Sequence, residues 1–142
     1  MTTVREMMTD NPESVEAEAT VQEAAGIMQK LNVGSVPVVS GGRVAGIVTD
    51  RDITIRLIAE NRRPSQTPVR QIATPDPLTV TPDTALSEAS KLMAEHQIRR
   101  LPVVSDGSLV GMLSLGDVSV DGDAREAGRA LADISVPAQP VL

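Results

Sequence analysis

The chain repeats itself. Sliding residues 4–53 onto residues 69–118, an offset of 65, needs no gap and returns 15 identities in 50 positions. The identities keep the punctuation of the chain, at Pro12/Pro77, Pro37/Pro102, Gly42/Gly107 and Gly46/Gly111. They also keep Val15/Val80, Glu23/Glu88, Ala24/Ala89, Met28/Met93, Val38/Val103, Val39/Val104 and Asp52/Asp117. Chance similarity between two helices would not retain proline and glycine, so one supersecondary unit is used twice. The 142 residues suit one compact domain built from the pair, able to bury about two-thirds of its unfolded surface.

Each copy has the same local grammar. In the first, a short helical turn over Val4 to Met8 precedes a proline-bounded extended piece around Ser14, Val15 and Glu16. A helix follows, which Thr20 can cap with Glu23 as reciprocal partner, and Val21, Ala24, Ala25, Met28 and Leu31 recur at helical spacing. The second copy keeps this face as Leu86, Ala89 and Met93, with Asp83 or Thr84 as the expected cap and no reciprocal Glu. Two β-branched runs come next, Ser35 to Ser40 and Arg43 to Val48, joined by Gly41-Gly42, which suits the positive φ angles of a two-residue hairpin. The partner copy uses Asp106-Gly107. Thr49-Asp50 and Ser114 then stand where a helix N-cap belongs, followed in the first copy by Ile53, Leu57 and Ile58.

The expected organisation is a first repeat over 1–60, a linker over 61–68, a second repeat over 69–134 and an irregular tail over 135–142. Neither linker nor tail is expected to carry a core. A β-α-β-β-α unit cannot cover both faces of its small sheet alone. The fold class is therefore α+β, with two repeats packed sheet against sheet about an approximate two-fold axis and two equivalent clefts between them. Function is expected in those clefts.

Composition narrows the chemistry. The chain has no Phe, Tyr, Trp or Cys and one histidine, His96. The core must be built from Val, Ile, Leu, Met and Ala, and thiol catalysis, thiolate metal sites and iron–sulfur clusters are excluded. A zinc site would lack most of its usual nitrogen ligands, so no metal is expected. The formal charge of −6 opposes phosphate-backbone binding, and without aromatic rings there is no platform for stacking single-stranded bases. The start Met1-Thr2-Thr3-Val4-Arg5-Glu6 has no basic stretch followed by an apolar run, and no segment approaches 18 apolar residues. No membrane association and a cytoplasmic location are expected. No nucleophile–base constellation surrounds His96 or any serine, so a non-enzyme is expected.

Gly46-Ile47-Val48-Thr49-Asp50-Arg51-Asp52 and Gly111-Met112-Leu113-Ser114-Leu115-Gly116-Asp117 share one pattern: glycine, two hydrophobics, Thr or Ser, two more residues and Asp. Each is preceded by a Val-Pro-Val-Val or Leu-Pro-Val-Val strand. This doubled pattern resembles the signature closing each repeat of the CBS domain family, named for cystathionine β-synthase, and the resemblance covers about Met1 to Ile134. The run from His96 to Val104 is also similar to stand-alone two-repeat bacterial CBS proteins, including the hypoxic response proteins of actinobacteria.

The resemblance implies a Bateman module: a regulatory CBS pair that senses an adenosine-containing ligand (AMP, ADP, ATP or S-adenosylmethionine) in an inter-repeat cleft. The signal would pass to a separate target protein, and a homodimer is implied. Carried over by motif position, the stronger site would set Met8, Asn11, Glu13, Val33, Gly34 and Ser35 around the base, with Arg99, Arg100, Met112, Ser114 and Asp117 on ribose and phosphate. The weaker site would set Ala73, Asp76, Leu78 and Ile98 around the base, with Ile47, Thr49 and Asp52 opposite and Arg51 compensating for an absent arginine pair. The chemistry agrees, because a carboxylate accepts two hydroxyl donors of a diol and a guanidinium grips phosphate oxygens bidentately.

Second readings stay open beside these. Asp52 and Asp117 also suit residues that merely cap or solvate the last helix. Under the ligand reading, Asp117 is expected at an exposed helix start, where its replacement by Ala leaves the fold little altered. Arg99 and Arg100 could instead pair with acidic side chains at a dimer surface. His96 suits a helix C-terminus, Met28 and Met93 suit the core, and Arg51, Arg56, Arg62, Arg63 and Arg70 suit a solvated face. The alternative function is a protein-interaction adapter or dimerisation module with no physiological nucleotide.

Overall fold

A computed structural model describes residues 1–121, and in it the backbone keeps the 65-residue offset that the side chains announce. The first copy runs α1 (Val4–Met7), β1 (Thr9–Asp10), β2 (Val15–Glu16), α2 (Val21–Leu31), β3 (Ser35–Ser40), β4 (Arg43–Thr49) and α3 (Asp50–Asp52). A π-helical turn over Ile53–Ile58 continues α3. The second copy runs through a 3-10 turn (Val69–Gln71), β5 (Thr74–Pro75), α4 (Leu86–His96), β6 (Arg100–Ser105), β7 (Ser108–Ser114) and α5 (Leu115–Asp121). Val80, which bridges to Val103 in parallel, stands where β2 stands in the first copy.

Left-handed backbone recurs at the same offset. Asn11 and Asp76 have φ of 48° and 49°, and Asn32 and Gln97 have 55° and 53°. Asn32 and Gln97 close α2 and α4, their N–H groups reaching the Met28 and Met93 carbonyls. The hairpin turns Gly41-Gly42 and Asp106-Gly107 both hold positive φ at each residue, as a two-residue turn between right-twisted strands requires.

The chain forms two compact units, and they do not coincide with the two copies. Among the described residues, unit 1 comprises Met1–Asp10, Thr79–Ser105 and the stretch 110–121, and unit 2 comprises Asn11–Leu78 with Asp106–Leu109. Hydrogen bonding explains the exchange. In unit 1, β1 pairs antiparallel with β7, Thr9 opposite Met112 and Asp10 opposite Gly111. The Val4 and Arg5 N–H groups donate to the Thr84 and Pro82 carbonyls, both at 2.9 Å. In unit 2, β5 pairs antiparallel with β4, Thr74 opposite Ile47 and Pro75 opposite Gly46, while β2 runs parallel to β3. Each copy lends its opening strand to the closing strand of the other.

Each unit buries an aliphatic core. Unit 2 packs Val15, Val21, Ala24, Met28, Val36, Val38, Val48, Leu57, Val69 and Ile72, and unit 1 buries Val4, Leu86, Ala89, Met93, Leu101, Val103, Met112, Leu113 and Val118. Met28 and Met93 are core, as their spacing suggested. Among the described residues no helix is long and apolar enough to cross a membrane.

Four local expectations need correction. The N-cap of α4 is Ala85, with no side-chain bond, because the Thr84 hydroxyl already accepts the Thr81 N–H at 3.1 Å. Thr20 accepts the Glu23 N–H at 3.2 Å, while the reciprocal box forms instead at α1, where the Thr3 N–H donates to Glu6 Oε2 at 2.9 Å. The linker is tied down: Pro64–Gln66 forms a 3-10 turn, Thr67 is buried, and its carbonyl takes the Val21 N–H at 2.9 Å. The helix expected after Thr49 turns π-helical over Ile53–Ile58, with the Thr54 hydroxyl donating to the Asp50 carbonyl at 3.0 Å at its start. The tail over 135–142 lies outside the described residues.

Candidate functional site

In unit 1 the site grows from the junction of β7 and α5. The Ser114 hydroxyl accepts the Asp117 N–H at 3.2 Å, and Asp117 Oδ2 accepts the Ser114 N–H at 2.9 Å. The Leu115 N–H donates to the Arg99 carbonyl at 2.8 Å, which ties the start of β6 to the same corner. Arg100 follows there. Its Nε is buried without a hydrogen-bond partner. Burial pushes its guanidinium below the ordinary arginine pKa, and the Asp117 carboxylate opposes that shift. Met8 lies over β7, where a Cβ added to Gly111 would run into the Met8 sulfur and stand 3.2 Å from the Thr9 carbonyl. Only glycine leaves room for so close a crossing.

In unit 2 the same corner is built by β4 and α3. The Thr49 N–H donates to Asp52 Oδ2 and the Asp52 N–H to the Thr49 hydroxyl, each at 3.0 Å. The Asp50 N–H donates to the Gly34 carbonyl at 2.9 Å. A Cβ on Gly46 would stand 2.7 Å from the Thr74 carbonyl oxygen, so the glycine of the signature admits the lent strand β5. Asp52 is 8% exposed, with Arg56 Nε 3.8 Å from its Oδ1.

The aspartates are therefore engaged, and the expectation of an exposed aspartate free to be removed is corrected. Both form capping boxes in which the carboxylate satisfies a backbone N–H. One carboxylate oxygen of each lies outside that bond.

Of the residues named for the stronger site, unit 1 holds Met8, Arg99, Arg100, Met112, Ser114 and Asp117, while Asn11, Glu13, Val33, Gly34 and Ser35 belong to unit 2. Glu13 is 3.8 Å from Lys30 Nζ as an exposed pair. Of those named for the weaker site, unit 2 holds Ile47, Thr49, Arg51, Asp52, Ala73, Asp76 and Leu78, and Ile98 belongs to unit 1. Among the described residues neither Arg99 nor Arg100 forms an ion pair with an acidic side chain. His96 closes α4, as expected.

Arg56 is exposed, as expected of a solvated face. From there it also reaches the signature aspartate and donates to the Ile72 carbonyl at 3.2 Å. Its i,i+4 spacing from Asp52 was the available signal. Arg62 and Arg70 hold Gln71 and Glu18 at 2.9 and 2.7 Å on the exposed surface.

The comparisons with known proteins agree with this geometry. The CBS domain family model matches residues 4–59 and 69–120. The CBS domain-containing protein YhcV of Bacillus subtilis (strain 168) is 44% identical over 136 residues, 95% of this chain and 96% of its own length. A crystal structure of Hypoxic Response Protein I with two coordinated zinc ions superposes with a TM-score of 0.79 at 30% identity, covering 84% of this chain and 98% of that one. A crystal structure of CBSX2 in complex with AMP gives a TM-score of 0.73 at 32% identity, covering 83% and 93%. Among the described residues of this chain, no group of three or more His, Cys, Asp or Glu stands together as a metal would need. With two tandem matches to the family model and the signature corner built twice, the chain belongs to the CBS domain family.

Proposed function

We propose that the chain is a regulatory CBS pair that senses an adenosine-containing ligand and passes the signal to a separate protein without catalysing a reaction. The corner of Ser114, Asp117 and Arg100 carries this reading. A carboxylate beside a hydroxyl suits a ribose diol, and a half-buried guanidinium whose Nε has no partner gains most from a phosphate. Met8, from the first copy, sits on the strand that ends in this corner, so a ligand there would touch both repeats and bias their arrangement through its differential affinity. The CBSX2 relative solved with AMP supports the ligand class. AMP, ADP, ATP and S-adenosylmethionine are the candidates. The protein is proposed to work in the cytoplasm as a homodimer.

The capping bonds of Asp52 and Asp117 favour the adapter reading, in which both aspartates serve the fold alone. One experiment separates the two. Protein purified natively is heat-denatured and the released small molecules are identified by mass spectrometry. With no Trp or Tyr in the chain, a bound adenine also dominates the absorbance near 260 nm. Release of an adenosine compound supports the sensor. An empty extract, together with no heat of binding for the four candidates, leaves the adapter.

A further inference from the structure

The two signature corners share a backbone and invert their side chains. In unit 1 the Leu115 N–H bonds the Arg99 carbonyl at 2.8 Å, and 65 residues earlier the Asp50 N–H bonds the Gly34 carbonyl at 2.9 Å. Arginine faces leucine in one copy, and glycine faces aspartate in the other. A Cβ on Gly34 would stand 3.1 Å from Asp50 Oδ2. The Asp50 carboxylate therefore fills the space where an arginine side chain would begin. It is held there by the Arg51 N–H, which donates to Asp50 Oδ1 at 2.9 Å, and among the described residues it enters no ion pair.

Charge follows the same inversion. The unit 1 corner sets Arg99 and Arg100 at the start of the strand and Asp117 across from them. The unit 2 corner sets Arg51 and Arg56 against Asp50 and Asp52, with Arg56 Nε already 3.8 Å from Asp52 Oδ1 and Ser35 in place of the second arginine. A phosphate ester brings about −1.5 to −2 charges at neutral pH. The first corner attracts it, while in the second Arg56 is taken up by Asp52 and the Asp50 carboxylate stands where an arginine would begin. The hydroxyl–carboxylate pair for a diol is kept in both, as Ser114–Asp117 and Thr49–Asp52.

We infer that Asp50 is a specificity-determining residue, which makes the unit 2 site select adenosine compounds without phosphate and reject nucleoside phosphates. This rests on the adenosine reading proposed above. Discrimination of this kind needs a repulsive element as well as an attractive one, and Asp50 supplies it.

The test uses the 15N-labelled full chain titrated separately with 5′-methylthioadenosine and AMP. The amides of Gly34 and Gly46 report on unit 2, and those of Gly111 and Gly116 on unit 1. Methylthioadenosine should shift both sets, while AMP should shift the unit 2 set at least about tenfold more weakly than the unit 1 set. Asp50→Asn keeps an oxygen for the Arg51 N–H and removes the charge. It should raise AMP affinity at the unit 2 set about five- to tenfold, the worth of one nearby charge, and change methylthioadenosine affinity less than about twofold. The double variant Gly34→Arg/Asp50→Leu copies the other corner and should bring AMP affinity there within about threefold of unit 1. Equal AMP binding at both sets of the unsubstituted protein, or an AMP preference that Asp50→Asn leaves untouched, overturns the inference. If neither compound shifts either set, the adenosine reading itself falls and takes this inference with it.

Discussion

Thr49 and Asp52 hold each other across one turn, backbone N–H to carboxylate and backbone N–H to hydroxyl, both at 3.0 Å. Ser114 and Asp117 repeat the arrangement 65 residues later at 2.9 and 3.2 Å. The Thr/Ser and Asp of the signature are thus a helix start before they are anything else. The pair orients one carboxylate oxygen toward its own backbone, which fixes the side chain and leaves the other oxygen for a partner. In unit 2 that partner is Arg56, whereas in unit 1 Asp117 forms no ion pair among the described residues.

The box predicts a stability cost. Removing a helix cap typically costs about 1 kcal/mol, and Asp52 is buried, with Arg56 beside it. Asp52→Ala should lose about 1–2 kcal/mol, whereas Asp52→Asn, whose amide oxygen can still accept the Thr49 N–H, should lose less than about 0.5 kcal/mol. Urea unfolding followed by far-UV circular dichroism measures both. Equal losses would mean that the charge matters and the cap does not.

The two signature glycines should differ when filled. A methyl at Gly46 meets the Thr74 carbonyl at 2.7 Å, a backbone atom that moves only with its strand. At Gly111 the nearest obstacle is the flexible end of Met8, with the Thr9 carbonyl further off at 3.2 Å. Overpacking costs about 1–3 kcal/mol, and Gly46→Ala should lie near the top of that range with Gly111→Ala below it. The same urea series tests the order, and a reversal would show that β1 yields less easily than β5.

Much of this architecture was legible because it is local. The hairpin turns at Gly41-Gly42 and Asp106-Gly107 and the helical face of Val21, Ala24 and Met28 follow from residues a few positions apart, and the repeat shows as the recurrence of such local patterns 65 residues on. The lending of β1 to β7 and of β5 to β4 was not legible, because strands two residues long carry no periodicity and their pairing is set by contacts across the chain. The start of α4 misled for a related reason: the Thr84 hydroxyl serves its own turn, leaving Ala85 as the cap. In the site, Thr49, Asp52, Ser114 and Asp117 were marked by their spacing. Asp50 was hidden, since its meaning lies in the missing side chain of Gly34.

Arg100 predicts a trade between stability and binding. Its Nε is buried without a partner, and leaving a buried polar group unsatisfied costs about 1–3 kcal/mol. Arg100→Met keeps the apolar stem and removes that group, so the ligand-free protein should melt at the same temperature or higher. Affinity for AMP should fall about tenfold or more, as loss of a charged hydrogen bond implies. Thermal unfolding with and without AMP checks both halves. A clear drop in the ligand-free melting temperature would show that the guanidinium serves the fold.

Assembly offers a simple measurement. Ile55 and Ile58 are 45% and 60% exposed on the π-helical turn, and a second copy is the proposed cover, isologous association being the commonest form. Light scattering should return about twice the 15.0 kDa chain mass. A strict monomer across micromolar concentrations would overturn the homodimer.

Ligand ranking between the two corners is the sharpest prediction, and the capping boxes decide which substitution can test it. Alanine at either aspartate would remove the cap together with any diol acceptor, so a loss of binding would be confounded with a loss of fold. Asparagine separates them: its oxygen still accepts the backbone N–H of Ser114 or Thr49, while the charge offered to the ribose hydroxyls is gone. Asp117→Asn should leave unfolding nearly unchanged and weaken AMP about tenfold to a hundredfold, the usual range for losing a charged hydrogen-bond partner of about 1.5–3 kcal/mol. Asp52→Asn should weaken AMP less, because its corner lacks the arginine pair and carries Asp50. Calorimetric titration of both variants at one fixed ionic strength measures the ranking. A larger loss for Asp52→Asn would place the phosphate-binding corner in unit 2, and no loss for either would show that the paired aspartates act only as caps.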